Sequence, residues 1–299
     1  TRTHVFSTLI CAGQVEQWLG NATAIADTVR WLNAATITKV YVESFRGGFR
    51  AKRDTLLAGR RALAEAGFDV AGCIATTALG KASNNYHDVS DYNNATTQAD
   101  LAAEFAFAAS LGDGTTIIDD FFFTDDTSAD STAGLATQTI TLSPSEHNNL
   151  TATLRIPVHN TTDGSCPGDN CPWKDYNRAL MLANSEYNVL AAAKRVNPNA
   201  TVTLKFPQWY DRYVDRGYDV VAQTAVFDQI WVGTEVRDYY DSQWGGTPPY
   251  EGFFIMRWLG AVGGAKTGGG WYDTLGTSPY TYIEQARQNV LGGAAESFL

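Results

Sequence analysis

Two apolar runs of the chain carry carboxylates at their ends, and the carboxylate is a residue type suited to acid–base and nucleophilic chemistry. The first run, residues 115–123, contains Asp119 and Asp120, and the second, residues 229–235, ends in Glu235. Burying a carboxylate without a partner costs several kcal/mol, so acids placed there are seldom accidental. If both runs are parallel strands of one closed barrel, their acids meet at one mouth. A pair of carboxyl groups on either side of the bond is the usual catalytic set for cleaving a glycosidic bond.

Charged residues also end other strand-like runs. Glu43, Lys205 and Asp273 occupy such ends, and Arg237 lies just beyond Glu235. Catalytic groups of barrel enzymes cluster at the carboxyl ends of the strands. We therefore predict that Glu43, Lys205, Arg237 and Asp273 bind substrate. Structural ion pairs are the alternative explanation for any single one of these charges.

Strand geometry separates the two neighbouring aspartates. Consecutive side chains of a strand point to opposite faces, so Asp119 and Asp120 cannot both face the barrel axis in ideal geometry. The phenylalanines at 121 and 123 share the parity of Asp119 and suit the layer against the helices. This favours Asp120 as the inward catalytic acid, with Asp119 positioning the strand end or binding a hydroxyl. A bulge at the rim would reverse the assignment.

Aromatic residues follow three successive strand-like runs. They are Trp209, Tyr210, Tyr239, Tyr240, Trp244, Trp271 and Tyr272. The apolar faces of sugar rings pack on aromatic rings, while hydroxyls find charged and amide partners. We expect Trp209, Tyr210, Tyr239 and Trp271 to bind substrate, and ordinary packing is the alternative for each one alone.

These residues would be positioned by alternating strands and helices. The predicted strands are Val5–Ala12, Lys39–Ser44, Asp69–Thr76, Thr115–Phe123, Thr201–Phe206, Gln229–Glu235, Gly269–Asp273 and Glu296–Leu299. Apolar spacings of three and four predict helices at Val15–Ala34, Asp54–Ala66, Gln98–Leu111, Tyr176–Val196, Gly217–Ala225, Phe253–Val262 and Tyr280–Leu291.

Eight strands alternating with helices predict an α/β fold, a (β/α)8 TIM barrel. An open doubly wound sheet is the rival, but it would usually have a glycine-rich turn after its first strand, and residues 11–14 do not form one. We expect one catalytic domain over residues 1–299. About fifty residues, 124–173, are predicted to form an insertion loop after the fourth strand, either a lid or a mobile decoration.

Composition excludes several classes of protein. The formal net charge is −10 and no basic cluster is longer than two residues, so we expect no nucleic-acid partner. No window reaches the roughly 18 apolar residues that span a membrane, so no membrane association is expected. The acidic surface either favours a cationic substrate or only keeps the protein soluble. We expect a monomer.

Five Asn-X-Thr sequons predict glycosylation and secretion into the extracellular space. They begin at Asn21, Asn94, Asn149, Asn160 and Asn199. In an oxidising compartment, Cys166 and Cys171, with four residues between them in a loop, are expected to form a disulfide. Cys11 and Cys73 lie in apolar runs and are either bridged or simply buried.

Other chemistries have weaker support. No Gly-X-Ser-X-Gly elbow exists, and the four histidines are scattered mostly in loops. The only histidine near the Cys166–Cys171 loop is His159, which leaves a zinc site one ligand short. We therefore expect no metal and no cofactor.

The runs at 118–123, 233–237 and 269–273 together resemble secreted microbial TIM-barrel glycoside hydrolases, of fungal type. The placement of acids is similar to the α-galactosidase clan and to endo-α-1,4-galactosaminidases, in which a strand-four Asp is the nucleophile and a strand-six acid the proton donor. The resemblance implies Asp120 as nucleophile or base and Glu235 as proton donor. It departs from barrels with an Asn-Glu pair on strand four and from chitinases.

These observations predict a secreted, endo-acting glycoside hydrolase that cleaves a polysaccharide. An amino-sugar polymer such as galactosaminan is the favoured substrate, from the charge and the resemblance, and another glycan such as peptidoglycan is the alternative. A catalytically silent, carbohydrate-binding barrel with its acids tied up in ion pairs is the second reading, since fold alone does not settle function.

Overall fold

The computed structural model describes residues 4–82, 89–123, 137–141, 153–157 and 172–298. Its strands are β1 (Val5–Ile10), β2 (Lys39–Arg46), β3 (Phe49–Arg50), β4 (Asp69–Ala75), β5 (Thr116–Asp119), β6 (Thr137–Thr141), β7 (Thr153–Pro157), β8 (Val202–Phe206), β9 (Gln229–Gly233), β10 (Thr267–Trp271) and β11 (Glu296–Phe298). The eight predicted strands correspond to β1, β2, β4, β5 and β8 to β11, with ends that differ by a few residues.

Those eight strands form a closed parallel barrel. They pair in chain order, and β1 hydrogen-bonds both to β2 and to the last strand, β11. Val5 lies opposite Glu296 on one side, and Ser7 lies opposite Lys39 on the other. The (β/α)8 prediction is therefore confirmed, and the closure excludes an open doubly wound sheet.

The helices surround the barrel. They are α1 (Val15–Leu19), α2 (Ala22–Ala34), α3 (Arg53–Glu65), α4 (Ala95–Ala109), α5 (Pro172–Asn184), α6 (Ala191–Val196), α7 (Val220–Val226), α8 (Glu251–Gly263) and α9 (Pro279–Gly292). The first predicted helix is divided, because Asn21 caps α2 by accepting a hydrogen bond from the amide of Ala24. A π-helical segment, Ser185–Leu190, joins α5 to α6 and keeps the predicted helix continuous.

The barrel interior is layered along its axis. Tyr41, Ile117, Trp231, Trp271 and Phe298 belong to one buried apolar cluster inside the barrel. Two residues further along β2 and β5 come Glu43 and Asp119, which alternation places on the same inward face. An apolar layer therefore supports a charged layer at the carboxyl ends of the strands.

The predicted insertion contains a small sheet of its own. Strands β6 and β7 pair antiparallel, with Thr137 opposite Pro157, and helix α5 begins at Pro172, inside the predicted end of the loop. The predicted disulfide of Cys166 and Cys171 and the sequons at Asn149 and Asn160 lie outside the described residues. None of the helices described has the length and apolar character of a membrane span.

Candidate active site

Lys205 lies at the centre of the charged layer. Its Nζ is 3.2 Å from Asp119 Oδ1 and 2.5 Å from Glu235 Oε1, and it lies 4.3 Å from the centroid of the Trp271 ring. Burial lowers the pKa of this ammonium, but the charges of Asp119 and Glu235 outweigh burial and raise it above its usual value. Because one nitrogen holds both oxygens, Asp119 Oδ1 and Glu235 Oε1 are at most about 5.7 Å apart.

Asp119 is the inward residue of β5. Its Oδ2 accepts a hydrogen bond from Arg46 Nη2 at 3.0 Å, while Oδ1 faces Lys205. Burial would raise the pKa of this carboxyl, but the two cations hold it below its usual value. Ile117, which lies on the same face of β5 as Asp119, belongs to the buried cluster inside the barrel. The prediction that Asp120 occupies the inward face of the strand is therefore wrong.

Asp120 reaches the same region by another route. Its backbone has a left-handed φ of 51°, which ends the strand and redirects the chain. Phe121 and Phe123 then pack in the outer core, as expected for them, so they carry no information about the strand parity. Burial, together with the charge of Asp119, raises the pKa of Asp120 to about 7. About a third of its side chain is exposed.

Glu235 follows β9 after a short turn. Thr234, between the two, donates to Asn289 Oδ1 at 2.8 Å, which fixes the turn. In the amide orientation that gives both atoms a partner, Gln208 donates to Glu235 Oε2 at 3.1 Å and accepts from Arg237 Nη1 at 2.7 Å. Both oxygens of Glu235 therefore accept hydrogen bonds. Burial raises the pKa of Glu235, and Lys205 opposes this shift.

Glu43 and Arg46 form the opposite side of the charged layer. Glu43 is completely buried, accepts from the amide of Ala12 at 2.8 Å, and is bound by Arg46 Nε at 2.9 Å and 3.0 Å. Burial raises the pKa of Glu43, and Arg46 opposes the shift. A tight turn at Gly47 and Gly48, both with positive φ, follows Arg46 and leads into β3.

A cavity of about 1290 Å³ opens above this layer. Of the residues proposed from sequence, it is lined by Asp119, Asp120, Lys205, Trp209, Glu235, Arg237, Trp271 and Asp273. Glu43, Tyr210 and Tyr239 do not line it. Glu43 lies beneath it as the partner of Arg46, and Tyr210 packs edge-on against Phe254 and Trp258 on the outside of the barrel.

Sequence reasoning missed two residues of the site. Arg46 and Gln208 both line the cavity and both contact a proposed catalytic acid. Arg46 lies three residues after the predicted acid Glu43, and Gln208 lies immediately before Trp209. Inspection of the residues just beyond each strand end, rather than of the acids alone, would have included both.

Arg237 is fixed on the rim of the cavity. Its Nη2 donates to Asp273 Oδ2 at 2.7 Å, its Nε lies 3.3 Å from Oδ1, and its guanidinium lies 5.2 Å from the centroid of the Trp244 ring. Trp244 remains 42% exposed and lines the cavity, so it presents an aromatic surface to a ligand.

Of the remaining positions named from the sequence, Cys11 lines the cavity, and the three asparagines described next do not. Asn21 and Asn94 cap α2 and α4, which gives each a structural role independent of its sequon, and Asn199 is exposed in a turn. Cys11 and Cys73 are not bridged. Across the described ranges, no group of three or more His, Cys, Asp and Glu side chains is arranged to hold a metal ion.

Comparison with known proteins adds an independent line of evidence. The model of a family described as "Probable glycosyl hydrolase, catalytic domain" matches residues 1–299. The uncharacterized protein SSO3021 of Saccharolobus solfataricus is 32% identical over 103 residues, a match that covers 34% of this chain and 16% of that relative. The chain thus spans only a small part of the length of this relative.

Two solved structures share the fold at low identity. The β-glycosidase BGL167 is 12% identical with a TM-score of 0.51, over 95% of this chain and 76% of that chain. A GH5_18 protein from Streptomyces cattleya, solved in complex with Manb1-4GlcNAc, is 12% identical with a TM-score of 0.50, over 99% of this chain and 70% of that one. At such identities the likeness concerns the barrel fold.

Proposed function

The chain belongs to the family of probable glycosyl hydrolase catalytic domains, and from this premise we propose that it cleaves a polysaccharide with Asp120 as proton donor and Glu235 as the opposing carboxylate. The resemblance to TIM-barrel glycoside hydrolases is confirmed at the level of the family and the fold. The two roles are the reverse of those expected from the sequence.

One observation carries this assignment: the two acids differ in their hydrogen bonds. Both oxygens of Glu235 accept hydrogen bonds, from Lys205 and from Gln208, and this favours an ionised group that has no proton to give. Asp120 Oδ2 lies 3.8 Å from Arg46 Nη1, beyond hydrogen-bonding distance. With a pKa of about 7, Asp120 can hold a proton near neutral pH and release it to a leaving group.

The reaction needs a proton on the glycosidic oxygen and a carboxylate close to the anomeric carbon, which becomes positively charged as the bond breaks. Asp120 would protonate the leaving oxygen from the exposed side of the cavity. Glu235 would attack the anomeric carbon in a retaining reaction or deprotonate the attacking water in an inverting one. Lys205 occupies the space between Asp119 and Glu235, so we assign Asp119 to holding Lys205 and Arg46 in place.

The cavity wall supports a sugar ligand. Trp209 and Trp244 supply aromatic surface, while Arg237 and Asp273 supply polar groups for hydroxyls. Asp211 and Glu251 also line the cavity, and the ion pairs found among the described residues include neither of them. Arg212 and Arg216 line the same wall, so the support for an amino-sugar polymer, cut by endo action, comes from the net charge of −10 of the whole chain.

The test combines a substrate screen with two variants. The screen measures reducing ends released from galactosaminan, chitosan, peptidoglycan and α-glucans, with product anomers followed by NMR. On a substrate that is cleaved, Asp120→Asn and Glu235→Gln should each lower kcat/KM at least about a hundredfold. Asp27→Asn, an exposed carboxylate of α2, is the matched control and should leave activity unchanged.

An aryl glycoside with a good leaving group separates the two roles. Such a leaving group needs little protonation, so Asp120→Asn should retain most activity on it, whereas Glu235→Gln should not. The opposite pattern would return the proton-donor role to Glu235. Near-normal activity of both variants on the polysaccharide would refute the pair altogether.

A catalytically silent binding barrel is the second candidate function. It is favoured by the ion pairs that engage Asp119, Glu235 and Glu43. Binding of oligosaccharides without release of reducing ends, in the same screen, would support it.

A further inference from the structure

One guanidinium faces three carboxylates at the mouth of the barrel. Arg46 binds Glu43 through Nε, donates to Asp119 Oδ2 through Nη2 at 3.0 Å, and places Nη1 at 3.8 Å from Asp120 Oδ2. The first two contacts are hydrogen bonds, and the third is longer. Arg46 therefore forms hydrogen bonds with Glu43 and Asp119, and it interacts with Asp120 only through electrostatic attraction.

Glu43 holds the Arg46 guanidinium in place through two contacts with Nε. It is completely buried, and it is itself held by the amide of Ala12 at 2.8 Å. Ala12 begins the short 3-10 turn Ala12–Gln14 just after β1, so this bond connects Glu43 to the end of the neighbouring strand. The Arg46 guanidinium is thus held by a buried carboxylate that is itself hydrogen-bonded to the backbone.

Asp120 meets other charges as well. Asp119 from β5 and Glu235 beyond β9 repel its negative charge, while Lys205 from β8 attracts it. Two tyrosines, Tyr92 and Tyr218, also interact with it electrostatically, and burial raises the pKa of both hydroxyls, so both stay neutral. Lys205 and, to a smaller extent, Arg46 thus oppose burial and repulsion at Asp120.

We propose that Arg46 is a positioning residue that sets the protonation of Asp120 across a gap, leaving the Asp120 oxygens able to exchange a proton. This inference rests on the proposed function, in which Asp120 is the proton donor. A direct hydrogen bond from Arg46 would instead stabilise the carboxylate and occupy an oxygen that the leaving group needs.

The experiment measures the titration of Asp120 itself, without any substrate. In protein labelled with 13C-aspartate, the Asp120 carboxyl signal is assigned by its loss in Asp120→Asn and followed by NMR against pH. Arg46→Gln should raise the Asp120 pKa by about one unit, the scale for a lost opposite charge at this range. Arg46→Lys, which keeps the charge, should leave the pKa within a few tenths of wild type.

Lys52→Gln is the control for a change in net charge. Lys52 is exposed, lies six residues from Arg46 and pairs with Glu16, so its removal should not move the Asp120 titration. Thermal unfolding of each variant shows that the fold is retained. A titration that is the same in Arg46→Gln as in wild type would overturn the proposal.

Kinetics then connect the titration to catalysis. If the protein cleaves a glycan, the alkaline limb of the kcat/KM profile should shift upward in Arg46→Gln by the same amount as the NMR pKa. If no glycan is cleaved, the proposed function fails, while the NMR result still decides whether Arg46 sets the protonation of Asp120.

Discussion

Adjacent residues Asp119 and Asp120 have pKa values shifted in opposite directions. Asp119 lies between two cations that lower its pKa, whereas burial and the neighbouring charge of Asp119 raise that of Asp120 to about 7. The cause is local backbone geometry. The left-handed φ at Asp120 turns its side chain away from the strand and from direct hydrogen bonds to the cations.

This difference predicts opposite effects of two amide substitutions on stability. The folded-state pKa of Asp120 is raised. The contribution of this carboxyl to the free energy of unfolding is therefore fully present below its unfolded-state pKa, near 4, and is lost as pH rises through about 7. Asp120→Asn should therefore increase the free energy of unfolding at pH 8 by about 1–2 kcal/mol, a figure reduced for partial exposure. Below pH 4 the two proteins should be equally stable.

Urea denaturation at the two pH values measures this effect, and Asp119→Asn is the comparison. The folded-state pKa of Asp119 is lowered, so its carboxylate stabilises the protein above the unfolded-state pKa, and this stabilisation is lost as pH falls through the folded-state pKa. Asp119→Asn should therefore destabilise the protein at pH 8. If Asp120→Asn also destabilises the protein at pH 8, the charge of Asp120 is compensated in the native state and the acid assignment loses its physical basis.

At the scale of elements, Glu235 packs closely against the end of β8, and Gly233, the last residue of β9, leaves the space for this contact. A Cβ at Gly233 would lie 2.6 Å from Glu235 Oε2 and 2.9 Å from the amide nitrogen of Gln208. Backbone cannot yield as a flexible side chain does, so this position requires glycine. The close approach of the two strand ends brings Glu235, Gln208 and Lys205 together.

Gly233→Ala should therefore displace Glu235 and lower kcat/KM by at least about tenfold, with a loss of stability of about 1–3 kcal/mol from overpacking. Gly13→Ala is the matched control, because nothing lies within 4 Å of an added Cβ there. Activity on the substrate found by the screen and thermal unfolding are the two measurements. Equal behaviour of the two alanine variants would show that the β9 turn is more adaptable than its spacing indicates.

At the scale of the whole molecule, closure of the barrel depends on the last strand. Glu296 of β11 accepts hydrogen bonds from Lys39 Nζ at 3.0 Å and from Tyr41 Oη at 3.1 Å. Both donors belong to β2, and β1 lies between β2 and β11. These bonds link strands about 255 residues apart in sequence. The acceptor is a carboxylate, so both are charge-assisted hydrogen bonds, which are stronger than neutral ones, and the Lys39 and Glu296 side chains are largely buried.

Glu296→Gln should lower the free energy of unfolding by about 2–3 kcal/mol, since it leaves Lys39 largely buried without a counter-charge. Glu16→Gln removes a carboxylate that pairs with Lys52 at the surface, and it should cost less than about 1 kcal/mol. Urea denaturation of both variants tests the difference. Equal costs would indicate that strand pairing alone closes the barrel.

The sequence alone predicted the order and type of the eight strands, because alternation of apolar runs and helical spacings is a local property that short segments carry. It also placed Asp119, Asp120, Lys205, Glu235 and Asp273 at strand ends, since the carboxyl ends of parallel strands share one rim. Those residues line one cavity, as such a rim requires.

Only the tertiary structure decided how these residues contact each other. Arg46 and Asp119 are 73 residues apart, and Lys205 and Glu235 are 30 apart, so no local pattern encodes their bonds. The directions of the Asp119 and Asp120 side chains depend on the left-handed φ of Asp120, which the two-residue period of a strand does not predict. Hydrophobic periodicity specifies elements one at a time, whereas a pKa and a hydrogen bond depend on groups that only the closed barrel brings within a few ångströms.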